Sequence, residues 1–123
     1  MKKITIYKIL FMSLLFYTNV YATSFINGFE DIPLMKGLTQ ISDNDISFGN
    51  EETRFIETQL QSSKNIKFND IKNFYIKTLA QFGWNLKEKS ESNVIFYREN
   101  DVLEINKIAS NPLKISINIK NMN

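Results

Sequence analysis

Four carboxylates stand close enough in sequence to share chemistry: Asp43 with Asp45 in the stretch SDND, and Glu51 with Glu52 in NEET. Two acids can divide general-acid and general-base work when burial or mutual repulsion drives their pKa values apart. SDND also opens in the manner of a calcium loop, yet the further oxygen ligands and the glutamate at the twelfth position are missing. It reads instead as a solvated linker or helix cap, and Glu51-Glu52 as an exposed turn whose carboxylates stay ionised and idle. The chain has no histidine and no cysteine. That removes the commonest general base, the commonest nucleophile–base pairs, nearly all zinc and copper sites, and disulfides. Its four glycines, at positions 28, 37, 49 and 83, are too scattered to form a phosphate loop. The chain is therefore read as a non-enzyme, with no catalytic residue, no cofactor and no metal site assigned.

Three further residues carry weight by type. Arg98 is one of only two arginines in a chain that otherwise uses lysine. Its planar fork suits a partner carboxylate or phosphate. The blander expectation is an arginine at a strand end, stacked on Tyr97 or a neighbouring ring and paired with Glu99 or Glu104. Trp84 and Tyr75 suggest an aromatic cradle, but Trp84 follows a glycine at a helix end, where a large ring plugs a helix–sheet seam. Core packing is the expectation for both.

The first 22 residues have the pattern of an export signal. Lys2, Lys3 and Lys8 precede an apolar run from Ile9 to Tyr17, and Val20-Tyr21-Ala22 supplies the small-residue cleavage pattern. The expected junction is Ala22-Thr23, giving a periplasmic or secreted domain with no stable membrane span. The alternative is an uncleaved signal acting as an inner-membrane anchor. Cleavage removes three of the 15 basic residues and none of the 13 acidic ones, leaving 12 against 13. A nearly neutral chain lacks the electrostatic footprint of a nucleic-acid binder. Ile, Asn and Lys together supply 45 of the 123 residues, so single surface lysines and asparagines say little.

The remaining hundred or so residues suit one domain. In FNDIKNFYIKTLAQFGW, residues 68–84, Ile71, Phe74, Tyr75, Thr78, Leu79 and Phe82 recur at steps of three and four, the stripe of an amphipathic helix. Asn69 or Asp70 is the expected cap and Gly83 the expected stop. NVIFYRENDVLEI alternates as a hairpin turning at Asn100-Asp101, with Arg98 opposite Leu103 and Phe96 opposite Ile105. LKISINIK alternates strictly, with Leu113, Ile115, Ile117 and Ile119 on one face. ISFGN and TRFIETQLQ flank a turn at Asn50-Glu51-Glu52, and WNLKEKS adds a strand with Trp84 and Leu86 inward. The expected fold is α+β: a single antiparallel sheet of five strands with one helix packed on one face, in the order β-β-α-β-β-β.

The segment DIPLMKGL, residues 31–38, with FY-x-x-x-L-x-x-x-GW (Phe74, Tyr75, Leu79, Gly83, Trp84) and YREND-x-LEI (Tyr97 to Ile105), resembles a family of small exported alphaproteobacterial proteins. The resemblance implies an envelope location and an α+β domain, and carries over no catalytic residue. The expected division is a signal at 1–22, an extended docking segment at 23–45 and the α+β domain at 46–123. One helix leaves apolar sheet from Phe48, Phe55 or Ile95 uncovered, and Ile32-Pro33-Leu34-Met35 is expected to lie over it. The rival is that Leu34 and Met35, with Arg98, contact an envelope protein partner. The function so read is a non-catalytic exported binding or accessory domain; the alternative is an assembly partner acting through a sheet edge or through Pro33-Leu34-Met35. Protein recovered from the envelope of an expressing host is expected to have an intact mass beginning at Thr23, and retention of residues 1–22 would replace the free domain with an anchored one.

Overall fold

The computed structural model describes residues 24–49, 53–63 and 65–121. The Ala22-Thr23 junction, the Asn50-Glu51-Glu52 turn and the signal itself lie outside them. Among the described residues six strands and one helix follow each other as β1 (Leu38–Gly49), β2 (Arg54–Ser62), α1 (Phe68–Leu79) with a 3-10 turn at Ala80–Phe82, then β3 (Asn85–Lys89), β4 (Asn93–Arg98), β5 (Asp101–Ser110) and β6 (Leu113–Asn121). All pair antiparallel in one sheet of order β1-β2-β6-β5-β4-β3. The single antiparallel sheet with one helix is as expected, but the order β-β-α-β-β-β is one strand short. WNLKEKS and both hairpin arms each form a strand of their own, because Ser90–Ser92 turns the chain between β3 and β4, with the Ser90 N–H donating to the Asn93 carbonyl at 2.8 Å.

Helix α1 starts before its expected caps Asn69 and Asp70. Lys67 occupies the cap position in an extended conformation, and Asp70, three residues on, accepts the Lys67 N–H at 3.0 Å. The buried stripe is Phe68, Ile71, Tyr75 and Leu79, with Phe74, Thr78 and Phe82 half-buried at its margin. Gly83, at φ +85°, closes the 3-10 turn, and the Trp84 N–H returns to the Leu79 carbonyl at 3.1 Å. Trp84 is thereby swung into the core, where it is buried.

The β4–β5 hairpin turns at Glu99-Asn100 rather than Asn100-Asp101. Glu99 takes the left-handed conformation at φ 54°, Arg98 pairs with Asp101, and Phe96 pairs with Leu103. The difference from the expected register is two residues, so every side chain keeps its face. Val94, Phe96, Leu103, Ile105, Ile115, Ile117, Ile119 and Leu60 form the helix-side core. Leu86, expected inward, is 42% exposed, because β3 is a short edge strand beyond the reach of the helix. β1 begins at Leu38, within the stretch 23–45 read as docking segment, and bulges between Ile41 and Ile46, where four of its residues stand against Thr58. Replacing Ile71 by Asp is expected to cost several kcal/mol by burying an unpaired charge, whereas Asn73→Asp on the outer face stays within about 0.5 kcal/mol, as denaturant unfolding will measure.

Candidate functional site

Two surfaces compete for a functional role: the N-terminal strap, residues 24–37, and the sheet face opposite the helix. The strap folds on itself before it docks. The Ile26 N–H donates to the Ile32 carbonyl at 2.9 Å and the Leu34 N–H to the Ser24 carbonyl at 2.8 Å, with Phe25 bridged to Pro33. This small loop turns Ile26, Phe29 and Ile32 inward, and Ile32 is fully buried. Several polar contacts then hold it to the domain, among them the Ser63 N–H and hydroxyl on the Gly37 carbonyl. The Tyr75 hydroxyl donates to the Pro33 carbonyl at 2.7 Å, and the Met35 N–H points back at that hydroxyl at 3.4 Å. Gln40 of β1 grips Asn27 through both main-chain groups, each at 3.0 Å, and also donates to Thr58 Oγ1. Arg98 Nη1 reaches Asp31 at 2.5 Å and the Phe82 carbonyl at 2.9 Å.

Burial pushes the Tyr75 hydroxyl above the ordinary tyrosine range, against a smaller opposing pull from the Met35 N–H. It therefore stays a neutral donor, which is the form the Pro33 carbonyl requires.

Arg98 pairs with Asp31 and lies over the Trp84 ring, 4.2 Å from its centroid. The expected stacking falls on a neighbouring ring, Trp84, rather than on Tyr97, and the expected acid partners Glu99 and Glu104 are replaced by Asp31. Tyr97 and Glu104 project from the other face of the sheet, whereas Arg98 shares the helix side with Phe96. Leu34 and Met35 are half-buried and packed against the core, and Pro33 is buried. All three partner-contact candidates thus converge on the strap and its seat. The strap does not cover Phe48, Phe55 or Ile95: these lie on the opposite face, where register places them in line with outward-pointing Lys120 and Asn118. Of the acid pairs, Asp45 accepts a hydrogen bond from the Thr58 hydroxyl at the β1 bulge, and Glu51-Glu52 lie outside the described residues.

The open face is ordered in cross-strand rows. Phe48, Phe55, Lys120, Val102 and Tyr97 form one, running from β1 through β2, β6 and β5 to β4. Ile46, Glu57, Asn118, Glu104 and Ile95 form the next. At the β1 end Phe48 and Phe55 stack at 5.2 Å and 29°, and Phe48 is 64% exposed. Alternation in the sequence marks these residues as outward, but the rows exist only once six strands are in register.

No family model, curated protein or solved structure matches the chain.

Unfolding measurements separate the strap's apolar hold from its polar ones. Ile32→Ala is expected to cost about 2–4 kcal/mol and Tyr75→Phe about 1–2, since two strap groups lose their partner. Asp31→Asn costs about 1 kcal/mol or less, the Asp31–Arg98 pair being about a third exposed. With the Tyr75 pKa raised in the fold, stability is full below about pH 10 and falls as pH rises above it, because only the unfolded chain releases the proton there. Tyr75→Phe is expected to lose that share of the alkaline decline.

Proposed function

We propose that this chain is a non-catalytic binding or accessory domain of the cell envelope, engaging a protein partner through the open sheet face at its β1–β2 end. The observation that carries this reading is the stacked Phe48–Phe55 pair. A large aromatic side chain left mostly in water, held by a second ring and flanked by Ile46, is the kind of apolar surface that marks an interaction site. A shallow cavity of about 240 Å³ beside it is lined by both rings with Arg54 and Lys120. The strap supports the same assignment by elimination. Leu34 and Met35 already spend part of their apolar surface on the chain's own core, and Arg98 is engaged with Asp31 and Trp84. The export pattern at residues 1–22 supports the location, and the lack of histidine, cysteine and any phosphate loop supports a role without chemistry.

A second reading, assembly by strand addition, is favoured by one observation. β1 is an edge strand whose stretch from Asp45 to Gly49 is exposed, so its outer backbone groups can accept a partner strand.

A photo-crosslinking side chain placed at position 48, in the full chain expressed with its export segment, is expected to yield a discrete protein adduct in the envelope. The same group at position 73, on the outer face of α1, yields none. Phe48→Ser abolishes partner recovery while changing stability by about 0.5 kcal/mol or less, since its ring is mostly in water. Equal adducts from positions 48 and 73 would defeat the reading.

A further inference from the structure

The second row of the open face has too few hydrogen-bond donors. Asn118 sits at its centre, on the middle strand β6, with Glu57 of β2 on one side and Glu104 of β5 on the other. Asn118 is 5% exposed. Its Nδ2 donates to Glu57 Oε2 at 3.5 Å, while its Oδ1, sealed from solvent, has no partner among the described residues. Exchanging the two amide atoms does not relieve this, because a carboxylate stands on each side and one of them would then face the amide oxygen. Lys120 approaches Glu104 at 3.5 Å, and Asn106 Nδ2 does so at 3.5 Å. Among the described residues no cation pairs with Glu57. A half-buried carboxylate without a counter-ion next to a buried oxygen without a donor is costly to a fold that gains nothing from it.

We propose that this row is the recognition point of the open face, and that it takes the basic side chain, arginine above all, of an extended partner segment. The inference rests on the open-face reading above and deepens it. A guanidinium brings five donors and a positive charge, enough to serve Glu57, Asn118 Oδ1 and the free lone pairs of Glu104 together. A hard divalent cation would find only two carboxylates and one amide oxygen here and would keep most of its shell as water. The face is flat rather than hollow, so a small free cation would stay largely in water, whereas a protein segment brings its own cover. That cover has a place to lie. The neighbouring row offers Phe48 and Phe55 at one end and Val102 and Tyr97 at the other, and Ile46 and Ile95 close the ends of the acidic row itself. A strand with an apolar, a basic and an apolar side chain on one face matches this pattern in order and charge. Lys120, already drawn to Glu104, is the chain's own ammonium at the margin of the site and competes with the incoming cation.

The test uses protein purified from the envelope fraction and a capped pentapeptide, Phe-Thr-Arg-Thr-Phe, with a twin carrying neutral citrulline in place of arginine. Nuclear magnetic resonance follows the Asn118 side-chain amide. The arginine peptide is expected to shift it saturably and to bind about tenfold more tightly than the citrulline twin, as the loss of a charged hydrogen bond implies. Glu57→Gln weakens the arginine peptide by a similar factor, and Lys120→Gln strengthens it, a pair of opposite signs that a merely structural role would not produce. N-acetylargininamide alone binds about tenfold more weakly than the peptide, since it lacks the flanking apolar side chains. Three results would each overturn the proposal: no saturable shift with the peptide, equal binding of the citrulline twin or of Glu57→Gln, or an isolated argininamide that binds as well as the peptide and so marks a small-molecule site. An envelope adduct at position 48 that survives Glu57→Gln leaves the open-face reading standing and removes this one. Arginine-dependent peptide binding without any such adduct does the reverse.

Discussion

One helix cannot cover six strands, and the rest of the architecture answers that shortage. At roughly 4.8 Å between neighbours the sheet is about 24 Å across, while a helix with its side chains is about 10 Å wide. Helix α1 seals the middle with Ile71, Tyr75 and Leu79. The strap supplies the missing cover with Ile26, Phe29 and Ile32, and the Tyr75 hydroxyl joins the two layers at Pro33. Without the strap those parts of the core would face water in a domain of a size where stability is already marginal. The DIPLMKGL segment is thus explained by coverage, and its polar clasps set where it lies rather than supplying most of its stability.

The helix face, the inward alternation of β6 and the stop at Gly83-Trp84 could be read directly because each depends on neighbours within a few residues. Long-range pairings could not. Arg98 finds Asp31, 67 residues away, and nothing local distinguishes Asp31 from Glu99 or Glu104 as its partner. Register in the β4–β5 hairpin slipped by two because alternation is satisfied equally by Asn100-Asp101 and Glu99-Asn100 turns, and only the left-handed backbone at Glu99 decides between them. The destination of the strap is hidden from the sequence for a related reason. Phe48, Phe55 and Ile95 look like core residues by type, yet strict alternation puts them opposite the face that the strap reaches.

The two faces of the sheet consequently follow different physical rules. On the helix side most central positions are aliphatic or aromatic, and of the polar groups that intrude Gln40 pairs with Asn27 and Thr58, and Thr58 with Asp45, while Trp84 Nε1 has no hydrogen-bond partner among the described residues. On the open side Ser116 and Asn118 are also buried, but beneath the side chains of neighbouring strands rather than beneath a layer of structure. A group buried in that way is still within reach of anything that docks, because glutamate stems rotate and a packed helix does not.

That difference also explains why the acidic row escapes a reading of the sequence. Glu57, Glu104 and Asn118 belong to three strands and are unremarkable singly, above all in a chain so rich in asparagine. The acids that attract attention in the sequence, Asp43 with Asp45 and Glu51 with Glu52, are near neighbours along the chain, the kind of proximity that a sequence shows directly. Cross-strand neighbours instead share a face at about 5 Å, and the middle strand of a sheet has one on each side. A donor shortage can therefore arise at β6, where two carboxylates bracket a single amide, but not at an edge, where water reaches every group. The site best suited to recognition is found at the position with the most neighbours, which is the position that local sequence describes least.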